Sequence, residues 1–440
     1  MNMTSRLRWR ICSAGFGATL MVGACSIIVR PPVITPEQLH PEWAASCRAI
    51  IDETRHRVIT DAELAACVAI PAAGGNLEGM RAWERTLPPE PEPPRPTLVP
   101  LETSGPIFLQ AGQPWRWRGV SAFGQLDRFA RGEDVSGFLE DFQGFNVLRV
   151  WTYVPWHAKD GTFIGWNEPA PEVVLAFLER VARDGWYVEI TLLTDDDTAR
   201  IAYARHLVEV LAAARPPNVA IEIGNEPRTN GKAIDTRALQ AVLDASGLLY
   251  SSGDYEDSRR AFGRYLTTHT ARDDDWPRRA HDLLEWYAGG GPNDPSDPPH
   301  RVPIVADEPP KLPQDVTGDR EADTLAYYGT VSLLGAGGTF HFEQGKYSAL
   351  KIVQVDGVER VVPTDGRPTA EEKKFAALTL AGLNAFPVDA PRGAYRRPVE
   401  RSLRTYVVGN YMVRVRPETK DAPEAGWIGL DDLGVLWRKE

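Results

Sequence analysis

The chain has 440 residues, of which 43% are hydrophobic and 25% are charged, as in ordinary globular proteins. This length favours one large domain with appendages over three equal domains. The formal net charge of −11 at pH 7 argues against nucleic acid as a partner, because binding phosphates requires a basic face.

The first residues have the pattern of an export signal. Arg6, Arg8 and Arg10 give a positive start, and residues 11–22 are mostly apolar or small. That stretch is too short to span a bilayer comfortably, so a cleaved signal is favoured over a membrane helix.

The end of this signal, Val22-Gly23-Ala24-Cys25, resembles the bacterial lipoprotein cleavage box. The resemblance implies that residues 1–24 are removed and that Cys25 carries lipid. The alternative is an ordinary secretory signal with an incidental cysteine. Lipidation predicts an exported protein tethered to a bacterial membrane, in the outer membrane or periplasm or at the cell surface, without a spanning helix.

Residues 25–87 are predicted to form a small helical segment, with helical patterns over 42–53 and 61–70. Cys47 and Cys67 lie one in each pattern. In an oxidising compartment they would form a disulfide, which would stabilise a segment too small to have a large hydrophobic core. Two buried free thiols are the alternative.

Residues 88–104 are predicted to be a linker, because seven prolines punctuate 88–100. Such a run favours an extended polyproline conformation. The linker either separates the following domain from the anchor or lies along that domain as a strap.

Strand-like and helical patterns alternate through the predicted domain at 105–388. Strands are predicted at 115–123, 146–150, 187–193, 219–223, 248–251, 265–269, 303–306 and 339–342, and helices at 135–142, 171–183, 200–214, 236–245, 277–287, 319–334 and from 369 onward. Eight such units predict an α/β fold, a closed (β/α)8 TIM barrel. An open doubly wound sheet is the alternative, but the Gly-rich phosphate turn typical of it is missing after the first strand.

Residues 389–440 are predicted to be a small antiparallel β appendage. A hairpin is indicated at 405–416, where Gly409-Asn410 gives a two-residue turn, and further strand-like sequence follows at 427–437. A separate carbohydrate-binding module is less favoured, because roughly 50 residues make a thin independent core.

Two of the predicted strands end in a carboxylate. Glu226 follows the fourth strand, in Ile-Gly-Asn-Glu-Pro, and Glu308 follows the seventh, in Ile-Val-Ala-Asp-Glu-Pro. Barrel enzymes build their active sites at the carboxyl ends of the strands. Hydrolysis of a glycosidic bond needs one carboxyl group to protonate the leaving oxygen and another to stabilise or capture the anomeric carbon.

These motifs resemble those of clan A of the glycoside hydrolases, the group that contains the family 5 cellulases and mannanases. The resemblance implies that Glu226 is the acid/base, that Glu308 is the nucleophile and that Asn225 binds the sugar 2-hydroxyl. Residues 144–149 read like a clan phrase, Gly-Phe-Asn-Val-Leu-Arg, whose Arg149 would keep the nucleophile ionised. His269 matches a position where clan members often place a sugar-contacting histidine.

The resemblance further implies a retaining β-glycosidase whose two carboxyl groups lie about 5 Å apart. Glu226 should then have a raised pKa. Asp307 competes with Glu308 for the nucleophile's role. Strand alternation should point one of the two into the mouth and the other into the wall, and the clan pattern favours Glu308.

The remaining candidates for sugar binding are aromatic or lie after the eighth strand. Trp151 and Trp156 are either a sugar platform or filling under a long loop. His341 stands near the place of a tryptophan that the clan often has, and Glu343 adds a third carboxylate. These departures allow a second interpretation, a glycan-binding surface lipoprotein without catalysis on the same fold.

The predicted partners are therefore a carbohydrate and, through Cys25, a membrane. No cofactor and no metal site are predicted. The acidic clusters at 195–197 and 273–275 lack a convincing calcium-ligand spacing and read as solvated loops.

Overall fold

The computed structural model describes most of the chain after residue 40. The described residues are 41–55, 61–72, 75–87, 97–196, 198–228, 233–253, 261–269, 302–308, 324–325, 327–329, 331–332, 336–342, 349–355, 357–386, 395–400, 405–408, 411–415, 428–430 and 435–439. The predicted signal with Cys25, the predicted helix at 277–287 and Glu343 lie outside them. The chain divides into two compact units, Met1–Pro93 and Pro94–Glu440.

The described part of the first unit contains three helices, α1 (Pro41–Arg55), α2 (Asp61–Ala72) and α3 (Leu77–Glu84). A disulfide joins Cys47 to Cys67, with 6.1 Å between their Cα atoms. Both cysteines lie in a small buried core together with Ala44, Ile50, Ile51, Leu64, Val68 and Met80. The third helix was not predicted; the Asn76 side chain caps it by accepting a hydrogen bond from the backbone N–H of Gly79.

The second unit begins with a three-stranded antiparallel sheet, β1 (Leu101–Ser104), β2 (Ile107–Gln110) and β3 (Gln113–Trp115). Residues 101–104 of this sheet had been assigned to the linker, and Trp115 to the first barrel strand. Both assignments were wrong, because the short strands pair through tight turns at Gly105 and Gly112, where φ is +56° and +73°.

Eight parallel strands follow: β4 (Trp117–Ser121), β5 (Val147–Trp151), β6 (Tyr187–Leu193), β7 (Val219–Gly224), β8 (Leu249–Ser251), β9 (Leu266–His269), β10 (Ile304–Glu308) and β11 (Gly337–Phe340). Their spatial order is β8-β7-β6-β5-β4-β11-β10-β9. An isolated antiparallel bridge pairs Ser251 of the edge strand β8 with Gly263, three residues before the other edge strand, β9. The predicted (β/α)8 TIM barrel is confirmed, with every predicted strand overlapping an observed one.

The fully described helices around the barrel are α4 (Gln125–Ala130), α5 (Ser136–Asp141), α6 (Pro171–Ala182), α7 (Arg200–Ala214), α8 (Arg237–Ser246) and α9 (Ala370–Leu383). The helix predicted from residue 369 begins with a capping box, in which Thr369 and Glu372 exchange side-chain and backbone hydrogen bonds. The apolar faces of these helices pack on the outward side chains of the strands in one continuous core.

Two further antiparallel sheets lie beyond the eighth barrel strand. The hairpin β12 (Leu350–Val355) and β13 (Val358–Pro363) precedes α9 and was not predicted. After α9 come β14 (Tyr395–Glu400), β15 (Thr405–Val408), β16 (Tyr411–Val415), β17 (Ile428–Leu430) and β18 (Val435–Lys439), in the order β14-β15-β16-β18-β17. The strands β15 and β16 are the predicted hairpin.

Within the described residues, none of the helices combines the length and the apolar character needed to cross a membrane.

The interior of the barrel is apolar at the amino-terminal ends of its strands. Phe108, from β2, is fully buried there and contacts the rings of Trp117 and Tyr265 at centroid distances of 5.5 and 5.8 Å. The same cluster contains Val147, Tyr187, Ala220, Leu249 and Val305. These side chains fill the amino-terminal end, so a ligand reaches the interior from the carboxyl ends of the strands.

Candidate active site

Above the apolar end lies a charged layer, which we define as Arg149, Glu189, Glu222 and Asp307. All four side chains are fully buried. Arg149 Nη2 lies 2.6 Å from Glu222 Oε2, and Arg149 Nε lies 2.6 Å from Asp307 Oδ2 and 3.8 Å from Glu189 Oε2. One guanidinium thus faces three carboxyl groups, and such a dry arrangement is tolerated only when its charges are paired or neutralised.

Asp307 supplies one of the paired charges. Burial opposes ionisation of this carboxyl, but the Arg149 charge lowers its pKa below the usual range. Asp307 is therefore a carboxylate that neutralises Arg149.

The position of Asp307 agrees with strand alternation. The expectation put the side chain of either Asp307 or Glu308 in the wall, and the clan pattern assigned the mouth to Glu308. The structure places Asp307 inside the barrel, on the same face of β10 as Val305 of the interior cluster. The pairing of β10 with β9 shifts between Ala306 and Glu308.

Glu189 is the carboxyl group of the layer that stays neutral. Burial, together with the charges of Asp307 and Glu222, raises its pKa well above the usual value. The hydroxyl of Tyr265 donates a hydrogen bond to Glu189 Oε1 at 2.6 Å. With Glu189 protonated, the layer contains one cation and two carboxylates.

Glu189→Gln should therefore flatten the pH dependence of stability. A raised folded pKa contributes stability that is complete below the unfolded pKa of about 4.3 and is lost as pH rises toward the folded pKa. The glutamine cannot ionise, so the variant should not share this loss. The free energy of unfolding of the variant, relative to that of the wild type, should therefore rise between pH 5 and pH 8. Urea titrations at both pH values measure this gain.

The control for this prediction is Glu179→Gln, since Glu179 is an exposed carboxylate with a side-chain exposure of 72%. It should follow the wild-type pH dependence. A Glu189→Gln variant that follows the wild type equally closely would contradict a neutral Glu189.

Side-chain atoms of Glu222, His269 and Asp307 lie within 4.8 Å of one another, which is close enough for metal ligands. Both carboxylates, however, direct an oxygen to Arg149 at 2.6 Å. A divalent cation there would lie against the fixed guanidinium charge and would have to displace it. These residues therefore fit an ion-pair network better than a metal centre.

Asn225 and Glu226 follow β7 at the mouth of the barrel. Arg149 Nη2 donates to Asn225 Oδ1 at 3.1 Å. The Glu226 side chain is 22% exposed, and its Oε1 lies 3.6 Å from Nδ1 of His269, at the end of β9. The backbone of Glu226 is left-handed, with φ of +48°. A non-glycine residue in this conformation costs about 1 kcal/mol or more and is typical of functional sites.

Glu308 is the last residue of β10, and its side chain lies outside the described residues. The backbone register pairs it with His269, because the bulge shifts the pairing by one residue. The predicted separation of about 5 Å between the carboxyl groups of Glu226 and Glu308 therefore stays a prediction.

The predicted aromatic candidates occupy different places in the structure. The ring of Trp151 is buried and stacks on Phe123 at a centroid distance of 3.9 Å and an angle of 19°. Trp156 is partly buried and meets Trp151 edge-on. His341 is buried and contacts Phe123 edge-on at 5.8 Å. Trp156 therefore retains a surface that can meet a sugar ring, while Trp151 supports it from below.

Glu189 and Glu222 were not among the predicted site residues. Their signal was present, because each interrupts an otherwise apolar strand that is buried along its whole length. A carboxyl group is rarely fully buried without a partner. Each of these residues therefore indicated a cation or a hydroxyl inside the barrel.

The sequence matches no family model and no curated protein among those compared. Solved structures with a similar chain path include a beta-glucanase from Saccharophagus degradans in complex with cellotetraose, with 15% identity, coverage of 68% of this chain and 99% of that chain, and a TM-score of 0.46. A glycoside hydrolase family 5 protein from Bacteroides vulgatus has 14% identity, coverage of 72% and 80%, and a TM-score of 0.42. A beta-mannanase from the blue mussel Mytilus edulis has 12% identity, coverage of 66% and 99%, and a TM-score of 0.38.

The fold and the mouth together define a (β/α)8 barrel with ionisable side chains at the carboxyl ends of its strands. This description rests on the strand order and on the side-chain geometry.

Proposed function

We propose that this protein is a retaining β-glycoside hydrolase that acts on a poly- or oligosaccharide outside the cytoplasm. The observation that carries the proposal is the position of Glu226. It is partly exposed at the carboxyl end of β7, it has a strained backbone, and it lies beside His269 and above a buried guanidinium. A carboxyl group held in this way at a barrel mouth suits proton transfer to a leaving group.

In the proposed reaction Glu226 donates its proton to the glycosidic oxygen while the bond from that oxygen to the anomeric carbon breaks. Glu308 forms an ester with the anomeric carbon, and the aglycone leaves as an alcohol. Glu226, now a carboxylate, then takes a proton from water, which attacks the anomeric carbon and releases Glu308. This sequence needs no cofactor.

The proposed place of action follows from the amino terminus. We propose that Cys25 carries lipid and that the prolines of residues 88–100 separate the barrel from a bacterial membrane. The disulfide between Cys47 and Cys67 supports an oxidising compartment.

Glu226→Gln tests the proposed activity. The wild type should hydrolyse members of a panel of aryl β-glycosides and β-linked polysaccharides, and the variant should lose about 10²–10⁴-fold in kcat/KM on the polysaccharides, whose leaving groups need protonation. The loss should be smaller on aryl glycosides with acidic leaving groups.

The matched control is Gln143→Glu, which exchanges the same two side-chain types at the surface. Gln143 precedes β5, at the amino-terminal side of the strand and away from the mouth. Full activity of Glu226→Gln on polysaccharides would exclude Glu226 as the acid. Saturable glycan binding by a wild type that hydrolyses no member of the panel would favour the non-catalytic lipoprotein instead.

A further inference from the structure

Glu222 has no part in the proposed reaction, although it lies on β7, the strand that the proposed acid/base follows, four residues before Glu226. The side chain is fully buried, so it cannot touch a substrate. Its oxygens are held by hydroxyl donors: Thr191 donates to Oε2 at 2.7 Å and Thr267 donates to Oε1 at 3.1 Å. These bonds fix the carboxylate in one orientation, in which Oε2 faces Arg149.

Arg149 Nη2 contacts the side chains of three residues. It donates to Glu222 Oε2 at 2.6 Å and to Asn225 Oδ1 at 3.1 Å, and it lies 3.3 Å from His269 Nε2. A guanidinium has donors only, so each of these partners must present an acceptor to it.

The first consequence concerns Asn225. Because its Oδ1 accepts from Arg149, the amide nitrogen points away from the guanidinium as a donor. The orientation of this amide is thus assigned by the hydrogen-bond network. Arg149 decides which end of Asn225 a ligand at the mouth would meet.

The second consequence concerns His269. Its Nε2 lies 3.3 Å from Arg149 Nη2, within hydrogen-bond distance, and 3.6 Å from Asp307 Oδ2, beyond it. With Nε2 accepting from Arg149, a neutral imidazole carries its hydrogen on Nδ1. Nδ1 is the ring nitrogen that lies 3.6 Å from Glu226 Oε1. The guanidinium therefore selects the tautomer whose N–H faces the proposed acid/base.

We propose that Glu222 is a positioning residue, which acts through Arg149 to fix the amide of Asn225 and the tautomer of His269 beside Glu226. The proposal rests on the proposed role of Glu226. Asp307 pairs with Nε, from which Glu222 Oε2 also accepts at 3.2 Å, whereas Nη2 donates to Glu222 Oε2 at 2.6 Å. Glu222 is the carboxylate on the nitrogen that Asn225 and His269 share.

The tautomer of His269 can be read without activity. In protein labelled with ¹⁵N-histidine, the imidazole shifts separate the two neutral tautomers, and loss of one signal in His269→Asn assigns it among the 8 histidines of the chain. The wild type should show the Nδ1–H tautomer, and Glu222→Gln should show a mixture. A wild-type Nε2–H tautomer, or an unchanged tautomer in Glu222→Gln, would overturn the proposal.

Kinetics on the best substrate of the panel give the second readout. Glu222→Gln should lower kcat and kcat/KM together by about 10²-fold, since the loss is one of geometry in the transition state. Its effect should shrink when Asn225 is already alanine, because the two changes act on one network. Equal losses in both backgrounds would contradict the coupling.

Glu179→Gln is the control, because it makes the same change at an exposed carboxyl group outside the charged layer, with a side-chain exposure of 72%. It should change neither the tautomer nor kcat. Should Glu222→Gln fail to fold, Thr191→Val removes one of the bonds that hold Glu222 and should shift both readouts in the same direction.

The two readouts separate this inference from the proposed function. A wild type with the Nδ1–H tautomer and no hydrolysis on the panel would overturn the proposed function and leave the positioning geometry standing. A hydrolytic wild type whose kcat is unaffected by Glu222→Gln would overturn the inference alone.

Discussion

Arg149→Met should lower the free energy of unfolding by about 3–5 kcal/mol, because removing one partner of a buried ion pair leaves uncompensated charge in a dry interior. In this chain the loss would leave Glu222 and Asp307 without the cation that both contact at 2.6 Å. Urea unfolding at neutral pH, followed by the fluorescence of the many tryptophans, measures the change.

The deficit of Arg149→Met should also depend on pH. Without Arg149, the charge that lowers the pKa of Asp307 is lost, and burial raises this pKa above that of the unfolded chain. The loss in free energy of unfolding caused by Arg149→Met is then small below about pH 4. It grows as the pH rises above the pKa values that carboxyl groups have in the unfolded chain. A deficit that is independent of pH would assign the loss to packing of the long Arg149 side chain rather than to charge.

Two matched variants complete this experiment. Arg183→Ala removes an exposed pair with Glu179, whose side chains are 48% and 72% exposed, and should cost less than about 1 kcal/mol. Part of the lost stability should return when Glu222→Gln and Asp307→Asn are added to Arg149→Met. The layer is then neutral, so no buried charge is left without a partner.

The barrel was predictable because its signals are local. Each strand is a short apolar run, and each helix repeats its apolar residues at helical spacing, as in α6, where Val174, Phe177, Leu178 and Val181 are buried. The capping box before α9 marked a boundary by two side chains alone. Such features need no knowledge of distant parts of the chain.

The strands β1–β3 were harder to predict because they are stabilised by tertiary contacts with the barrel rather than by a local sequence pattern. Their residues do not form a strong period-2 pattern, and the sheet is held in place by the burial of Phe108 at the end of the barrel. The prolines before residue 100 favoured a linker. A composition signal therefore outweighed a weak strand signal.

The residue types of the site were predictable from the sequence, but which carboxylate pairs with Arg149 was not. The motif around Asn225 and Glu226 gave their place at the mouth, since it follows a buried strand. The partner of Arg149 could not be read from sequence in the same way. Alternation from the interior residue Val305 gives the inward direction of Asp307, but the shift in pairing between Ala306 and Glu308 has no mark in the sequence.

The adjacent acids Asp307 and Glu308 thus have separable roles. Asp307 is fully buried and paired with Arg149, so Asp307→Asn should act chiefly on stability. Glu308→Gln should leave stability near the wild-type value and lower kcat by about 10⁴-fold or more, as expected when a covalent catalyst is removed. Urea unfolding and steady-state kinetics on both variants compare the two losses.

A mechanism-based label decides which acid bonds to the sugar. A 2-deoxy-2-fluoro-β-glycoside with a dinitrophenolate leaving group should form a stable ester with the nucleophile as the phenolate departs, and the labelled peptide should carry the sugar on Glu308. A label on Asp307 would require the buried carboxylate to leave Arg149 and would overturn the assignment.

Inversion of the anomeric centre, seen by NMR of the first-formed product, would rule out the covalent route altogether. The two outcomes have different structural meanings. A retaining reaction requires the carboxyl groups of Glu226 and Glu308 to lie about 5 Å apart, whereas an inverting one leaves about 6.5–9.5 Å for a water molecule. The register that sets Glu308 beside His269, itself 3.6 Å from Glu226, favours the shorter separation.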